Sequence, residues 1–299
     1  MNFNVIKHKW IFLGFSSLLI LASIYGFIFF GVQKGIDFTG GSLWQIGFSG
    51  TVTQDQLTET LHKDLILPEA TVTSQEGAGA YLIKTKEMSE LEHQDFKQRL
   101  RQKYGSFNEL SFESIGAAIG SELVDKAFWA LSITLLAISL YIAYAFRKVS
   151  HPVSSWKYAI ITLVTLFHDA IIPLGLFTFL GKFLGIEIDI NFIVAILVVV
   201  GFSVHDTIVV FDRIRENLRS AGAKDDFGAL VNRSINETFA RSLNTSLTLI
   251  IVLVTLFILG AVSLKYFILA ILVGTIAGTY SSIFVASPLL VVWQKLQKK

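Results

Sequence analysis

Residues 190–213 of the chain read INFIVAILVVVGFSVHDTIVVFDR. The part from Ile190 to Phe211 is long enough to cross a bilayer as one helix, which needs about 20 apolar residues. The run nevertheless contains a carboxylate, Asp206, and a charge at membrane depth costs about 2.5–3.5 kcal/mol even on a lenient scale. Membrane proteins that bear this cost commonly use the charge to bind or move an ion, or to pair helices. The stretch therefore predicts a membrane protein and marks Asp206 as a candidate functional residue.

The composition extends this membrane assignment to the whole chain. Of the 299 residues, 53% are hydrophobic, and the mean hydropathy is +0.60. We therefore predict a polytopic α-helical membrane protein with six transmembrane helices. The first apolar run is too long for the core of a signal peptide and lacks a cleavage site, so we expect a retained anchor. The six runs are Trp10–Val32, Ala127–Phe146, Tyr158–Leu180, Ile190–Phe211, Leu243–Leu264 and Phe267–Trp293.

Basic residues predict the orientation of these spans. They cluster before span one, between spans two and three, between spans four and five, and after span six. All four clusters fall on one side if the spans alternate, and basic loops stay cytoplasmic. We therefore expect a multi-pass protein of the bacterial cytoplasmic (inner) membrane with both termini in the cytoplasm. The clusters include Lys7 and Lys9, Arg147, Lys148 and Lys157, Arg213 to Arg241, and Lys295 to Lys299.

One large polar segment, residues 33–126, separates spans one and two. Its pattern is strand, helix, strand, strand, helix, strand, with capping boxes at Thr53/Gln56 and Ser89/Glu92 and a hairpin signal at residues 77–79. This order predicts an extracytoplasmic α+β domain with a ferredoxin-like layout. The chain would then divide into residues 1–32, 33–126 and 127–299. The last part includes a cytoplasmic loop, 212–240, whose charged pattern indicates an amphipathic helix.

Span four carries a polar stripe around Asp206. Ser203, Asp206, Thr207 and Val210 share one helical face, which we expect to meet other helices rather than lipid. The stripe fits either an ion carrier or a structural hydrogen-bond node.

Span five offers a partner for that stripe. Arg241 shares a face with Asn244, Thr245 and Thr248. The arginine fits either an ion pair with Asp206 that changes with protonation or a snorkelling anchor at the membrane surface.

Spans three and six carry further polar groups. His168 and Asp169 lie near the membrane midplane, and they point about 100° apart on a helix, so we expect that they do not share one contact. A proton relay and a structural polar pair fit them equally well. Gly274 and Gly278 form a small-residue motif in span six that predicts close helix packing.

Several function classes lack support in the sequence. The chain contains neither a phosphate-binding P-loop, nor a His-Glu-x-x-His zinc motif, nor a G-x-S-x-G serine elbow, so ATP hydrolysis and proteolysis are not indicated. A net charge of +2 gives no basis for nucleic-acid binding, and without cysteine there is no thiolate metal site. We expect a transport protein that is not an enzyme and that needs no metal or cofactor.

Four motifs together resemble the SecF family of protein-export membrane subunits, which is related to the resistance-nodulation-division transporters. The resemblance covers essentially the whole chain. It implies a partner, SecD, with which SecF forms a pseudo-symmetric twelve-span unit that uses the proton-motive force in late preprotein export. It also implies contact with the SecYEG channel, YajC, the SecA-driven translocon, unfolded preprotein and membrane lipids. The motifs are Ile36–Gly41, Gly201–Asn217, Arg241–Ser246 and Gly278–Ile283.

The same resemblance implies functional roles for particular residues. The intramembrane acid of the family matches Asp206, and its functional arginine matches Arg241. His205 stands where the family commonly has Asn, and Phe202 stands where it usually has Tyr. The candidate ion-coupling residues are Asp206, Arg241, His205, Thr207, Ser203, His168 and Asp169. Two alternatives stay open, a stand-alone small-molecule exporter of the same superfamily and a structural assembly subunit without ion coupling.

Overall fold

A computed structural model describes residues 3–48, 50, 52–74, 79–147, 153–220 and 226–297. The chain divides into two compact units. One unit combines residues 1–33 with residues 129–299 and is helical. The other comprises residues 34–128 and contains the β-sheet.

Among the described residues, six helical segments are long and apolar enough to cross a membrane, which agrees with the number of spans predicted from the sequence. Within the helical unit, α1 packs on α6, α7 packs on α8 and α9, and α6 packs on α9. The six segments are α1 (Lys9–Phe30), α5 (Ala117–Ala145), α6 (Ser155–Leu184), α7 (Ile190–Ser220), α8 (Phe227–Leu259) and the sixth segment, which begins with α9 (Lys265–Ser281).

Two of these helices continue well beyond the apolar runs. The segment 212–240, predicted as a loop with an amphipathic helix, instead extends α7 to Ser220 and starts α8 at Phe227, while residues 221–225 lie outside the described residues. Polar groups hold the extensions together. Asn217 donates hydrogen bonds to Ser234 (2.9 Å) and Glu237 (2.7 Å), and Arg213 donates to Glu237 (2.7 Å). Because charged side chains tolerate helix well, both helices continue beyond the apolar runs.

The sixth span is interrupted near its middle. A π-helical turn, Ser282–Ala286, separates α9 from α10 (Ser287–Gln297). The sequence contains the cause, because Pro288 has no N–H to give to the carbonyl four residues earlier. An extra residue in the preceding turn is one way for a helix to accommodate that loss.

The second unit is the α+β arrangement that the sequence predicted. Its sheet has the strand order β2-β3-β1-β4 with every neighbouring pair antiparallel, which is the ferredoxin-like layout. The elements are a short helix α2 (Ile36–Thr39), β1 (Gly41–Phe48), α3 (Gln54–Lys63), β2 (Thr71–Ser74), β3 (Ala80–Thr85), α4 (Glu90–Tyr104) and β4 (Phe107–Ile115). The hairpin signal at 77–79 lies largely outside the described residues, which resume at Gly79.

This unit has a hydrophobic core of its own, built by one face of the sheet and the two longer helices. Trp44 and Ile46 on β1 and Leu57, Leu61 and Leu100 on the helices are almost completely buried. Alternate residues of β1 and β3 point into this core, which is the period-2 pattern of a half-buried strand.

Both predicted capping boxes are present. Ser89 accepts a hydrogen bond from the Glu92 backbone N–H (3.3 Å), and the Glu92 carboxylate accepts one from the Ser89 N–H (2.8 Å). Thr53 and Gln56 form the same reciprocal pair at the start of α3. The Ser89 hydroxyl and N–H together lower the pKa of Glu92 below its usual value, so this stabilisation is present near neutral pH and is lost as the pH falls through the lowered pKa.

We expect Ser89→Ala to weaken α4 specifically. Loss of an N-cap costs about 1 kcal/mol, because it leaves a backbone N–H of the first turn without a partner. Hydrogen exchange of the full chain should show roughly fivefold faster exchange of the α4 amides, with α3 unchanged. Thr53→Ala is the matched variant, and it should speed the exchange of the α3 amides while leaving α4 unchanged. Equal exchange of α4 in the Ser89→Ala variant and the parent would contradict the prediction.

Candidate functional site

Two buried carboxylates lie at membrane depth in the helical unit. Asp169 on α6 and Asp206 on α7 are 0% and 2% exposed. Both belong to candidate membrane spans, where an ionisable side chain needs polar partners. The partners of each carboxylate therefore define what the site can do.

Close approach of α9 to α7 brings the first set of partners together. A Cβ atom added to Gly278 would lie 2.8 Å from Ser203 Cβ, and one added to Gly274 would collide with the Val199 side chain. Only glycine therefore fits at these two positions of the small-residue motif. The contact places Ser281, one turn beyond Gly278, in the interior between α6 and α7.

Asp169 binds three donors from three helices. Ser203 Oγ on α7 and Ser281 Oγ on α9 both donate to Asp169 Oδ2, the latter at 2.8 Å. His168 Nδ1 lies 2.7 Å from Asp169 Oδ1. A carboxylate with donors on both oxygens joins α6, α7 and α9 at one point.

This geometry corrects the expectation that His168 and Asp169 do not share a contact. Their backbone directions differ, but the two side chains turn towards each other and form a hydrogen bond. The sequence analysis also did not identify Ser281, which lies within the Gly278–Ile283 motif, as a partner of Asp169. Ser281 lies 112 positions after Asp169 in the sequence, and no local signal identifies a partner at that separation.

Asp206 has a different partner helix. Its Oδ2 accepts a hydrogen bond of 3.0 Å from Ser246 on α8, a residue that is itself fully buried. The stripe of Ser203, Asp206, Thr207 and Val210 is buried along its whole length. Its members nevertheless face two neighbours, because Ser203 reaches Asp169 on α6 while Asp206 reaches α8. Thr207 Oγ1 lies 3.3 Å from the Ser203 carbonyl and donates to it.

His205 lies beside Asp206 on the exposed surface of the helical unit. Its side chain is 68% exposed, and its Nδ1 is 3.9 Å from Asp206 Oδ1. That distance exceeds a hydrogen bond, so His205 does not bond directly to Asp206.

The expected pairing of Arg241 with Asp206 is not formed within this chain. Arg241 is exposed, and so are the other members of its face, Asn244, Thr245 and Thr248. The face of α8 that meets α7 carries the small hydroxyls Ser242 and Ser246, both buried. Small side chains allow the close helix approach that a long arginine prevents, and this decides which polar face is turned inward.

The described residues contain no group of three or more His, Asp or Glu side chains placed to hold a metal ion. The polar groups of the site are its two carboxylates, its imidazoles and the hydroxyl groups that bond to them.

Comparison with known proteins places this arrangement in a family. Residues 95–296 match the family model described as protein export membrane protein SecD/SecF, C-terminal. The chain belongs to the SecD/SecF family. It is a multi-pass membrane protein and, within the family, a protein translocase subunit of the SecF type. The SecF resemblance identified from the four motifs is therefore confirmed.

Individual relatives match over nearly the whole chain. The protein translocase subunit SecF of Thermobaculum terrenum is 40% identical over 97% of this chain and 94% of its own length. SecF of Sebaldella termitidis is 34% identical over 100% of this chain and 94% of its own length. The protein translocase subunit SecDF of Bacillus subtilis is 32% identical over 98% of this chain, but this chain covers only 38% of the SecDF length.

Solved structures agree with this assignment. The crystal structure of SecDF from Thermus thermophilus, a translocon-associated membrane protein, superposes with a TM-score of 0.84 and 33% identity over 99% of this chain. SecDF in a super-membrane-facing form gives a TM-score of 0.69 and 32% identity over 100% of this chain. This chain spans 39% of each of those longer chains.

Proposed function

We propose that this SecF-type subunit works with a SecD partner and uses the proton-motive force to promote late export of preproteins across the bacterial inner membrane. Within the proposal, the SecYEG channel, SecA and YajC belong to the same machinery. Both termini lie in the cytoplasm, and the α+β unit lies outside it and acts on unfolded preprotein.

The buried Asp206 carries this proposal. A carboxylate that is 2% exposed within a candidate span is costly to keep unless its charge has a use. Its recorded hydrogen bond comes from the neutral hydroxyl of Ser246, so no fixed positive charge within the described part of the chain neutralises it. A carboxylate in this setting can take up a proton and lose its charge, which is what ion coupling requires.

A SecD partner follows from two observations. In the SecDF relatives, a segment similar to this chain accounts for 38–39% of a longer polypeptide, and a SecD partner would complete such a unit here. Polar side chains at membrane depth also remain uncovered, namely His205 on α7 and the Arg241, Asn244, Thr245 and Thr248 face of α8. Polar groups at this depth face protein rather than lipid, so these faces fit the surface that meets the partner.

Arg241 takes its role in that assembled unit. Because Arg241 is exposed, contact with the partner could change the orientation of its side chain. An ion pair with Asp206 would then form or break as Asp206 loses or gains a proton. Thr207 and Ser203 support Asp206, because they fix the turn of α7 on which it sits. This coupling is a proposal for the complex and is not formed by the chain alone.

The test is export by inverted vesicles that contain SecYEG, SecA and this chain with its SecD partner. Membrane potential and pH gradient are imposed separately after ATP-driven translocation has begun. We expect the final release of preprotein to accelerate with the pH gradient, and this acceleration to vanish in vesicles that lack this chain. Equal release with and without any gradient would indicate a purely structural subunit. Failure of the chain to co-purify with a larger six-span partner would favour a stand-alone exporter.

A further inference from the structure

One buried ring nitrogen near Asp169 has no hydrogen-bond partner. His168 is 1% exposed, and its Nε2 makes no hydrogen bond to any described residue. The other nitrogen, Nδ1, lies 2.7 Å from Asp169 Oδ1. Because a carboxylate accepts, Nδ1 carries the hydrogen of the neutral ring, and Nε2 then presents a lone pair. A buried acceptor without a donor carries a desolvation cost, which makes this nitrogen the unusual group of the site.

Helix α1 packs on α6, the helix that carries His168. Glycines bring the two helices together, since a Cβ on Gly175 would collide with Ser23 and one on Gly26 would collide with Thr178. Moving seven residues back along each helix, or two turns, leads from Ser23 to Ser16 and from Gly175 to His168. Ser16 is a buried hydroxyl at the level of the histidine.

Few charged groups face this region from the neighbouring helices. Residues 10–30 of α1 contain no charged side chain, and neither do residues 266–294 of the sixth span, where Tyr280 donates to the Phe12 carbonyl at 2.9 Å. On the apolar part of α7, the charged or titratable groups are His205 and Asp206. Asp169 is therefore the one ionisable group in direct contact with His168 among the described residues.

We propose that His168 Nε2 is a second proton-binding site of the coupling machinery, with Asp169 as the residue that positions and balances it. The inference rests on the proposed ion-coupling function and assigns the proton to a particular atom. The step is a reversible transfer of one proton from water or hydronium to the Nε2 lone pair. No other bond forms or breaks, and the proton returns to water on release.

The hydrogen bonds to Asp169 favour this assignment over a proton carried by Asp169. Three donors bond to the Asp169 oxygens, and a protonated carboxyl is a weaker acceptor than a carboxylate, so protonation of Asp169 would weaken these bonds. Protonation of Nε2 leaves all three bonds intact and changes the net charge of the His168–Asp169 pair from −1 to zero. A neutral pair is easier to hold at membrane depth than a single charge.

The connection to Asp206 runs through Ser203. Its hydroxyl donates to Asp169, and its carbonyl accepts from Thr207, the residue next to Asp206. A change of charge at His168 therefore acts on the same turn of α7 that carries Asp206. Through its hydrogen bond to Asp169, Ser281 transmits the same change of charge to the end of α9, next to the π-helical turn.

The test uses the complex with its partner in nanodiscs, with isotope-labelled histidine rings observed by NMR. The chain has six histidines, so the His168 signal is identified by its loss in His168→Asn, a substitution whose amide can still donate to Asp169. We expect the wild-type signal to change reversibly from the Nδ1–H neutral form to imidazolium as the sample is acidified over the range in which the complex stays folded. A signal that keeps the neutral form throughout would overturn the inference. If His168→Asn does not fold, a variant that retains only His168 gives the same readout.

Export measurements separate this inference from the proposed function. We expect His168→Asn and His168→Gln to lose the pH-gradient response at least tenfold, and His8→Asn, which removes an exposed ring, to keep it. A full response in both His168 variants alongside its loss in Asp206→Asn would overturn only the second site. A full response in the His168 variants and in Asp206→Asn would overturn the proposed function as well.

Discussion

Asp206→Asn is expected to remove the gradient-dependent part of preprotein export while leaving the subunit inserted and assembled. Asparagine has nearly the same size as aspartate, and its carbonyl oxygen can still accept the hydrogen bond from Ser246. It cannot bind and release a proton. The substitution also removes a charge whose presence at membrane depth costs about 2.5–3.5 kcal/mol, so the variant should be no less stable than the parent. Export rates in vesicles with and without an imposed pH gradient measure the effect.

The control for this experiment is Asp125→Asn on α5, which neutralises an exposed carboxylate and should keep the full gradient response. Arg241→Gln extends the test to the proposed pair. If the two residues act together in the complex, the double variant should lose no more than Asp206→Asn alone. Gradient-driven export at the parental rate in Asp206→Asn would disprove ion coupling through this residue. Partial losses in the two single variants that multiply in the double variant would show that Arg241 acts independently of Asp206.

The spans and the α+β unit could be predicted because their signals are local. An apolar run of about 20 residues must be helical in a membrane, whatever it packs against. The capping boxes at Thr53 and Ser89 also act within a single turn, and both are formed as the sequence indicated. The ferredoxin-like strand order followed from the order of the elements and the short connections between them.

The partners of the two carboxylates could not be predicted in the same way. Span five offers two polar stripes, one with Arg241, Asn244 and Thr245 and one with Ser242 and Ser246. A helical projection shows both stripes but not which of them faces α7. The size of the side chains decides this, because small hydroxyls permit closer packing, and that depends on the surface of the opposite helix.

The hydrogen bond between His168 and Asp169 shows a second limit of sequence reasoning. Helical geometry gives the direction of each Cβ, but the outer part of a side chain is set by rotamers that respond to neighbours. Ser203 and Ser281 approach from two other helices and fix the Asp169 carboxylate, and His168 then turns towards it. The π-helical turn had a local signal in Pro288, but a proline alone does not say whether a helix kinks, ends or gains a residue.

Gly278→Leu is expected to break the three-helix junction at Asp169. Any Cβ at this position would lie 2.8 Å from Ser203 Cβ and 3.3 Å from its Cα, so the clash involves backbone that cannot move aside. Overpacking of this kind costs about 1–3 kcal/mol. Separation of α9 from α7 would also pull Ser281 away from Asp169, and a lost hydrogen bond to a charged group adds about 1.5–3 kcal/mol. We therefore expect a loss of roughly 3 kcal/mol or more, measured as unfolding of the purified chain in detergent.

Gly201→Leu is the matched control for this prediction. Gly201 lies on α7, half a turn from Ser203, and a Cβ added there would meet no atom within 4 Å. Both substitutions replace a helical glycine with leucine, so their effects on helix propensity are the same and cancel in the comparison. The two variants differ in the contact between α9 and α7. Equal stability of both variants would show that this contact does not hold the junction, and Asp169 would then depend on α6 and α7 alone for its position.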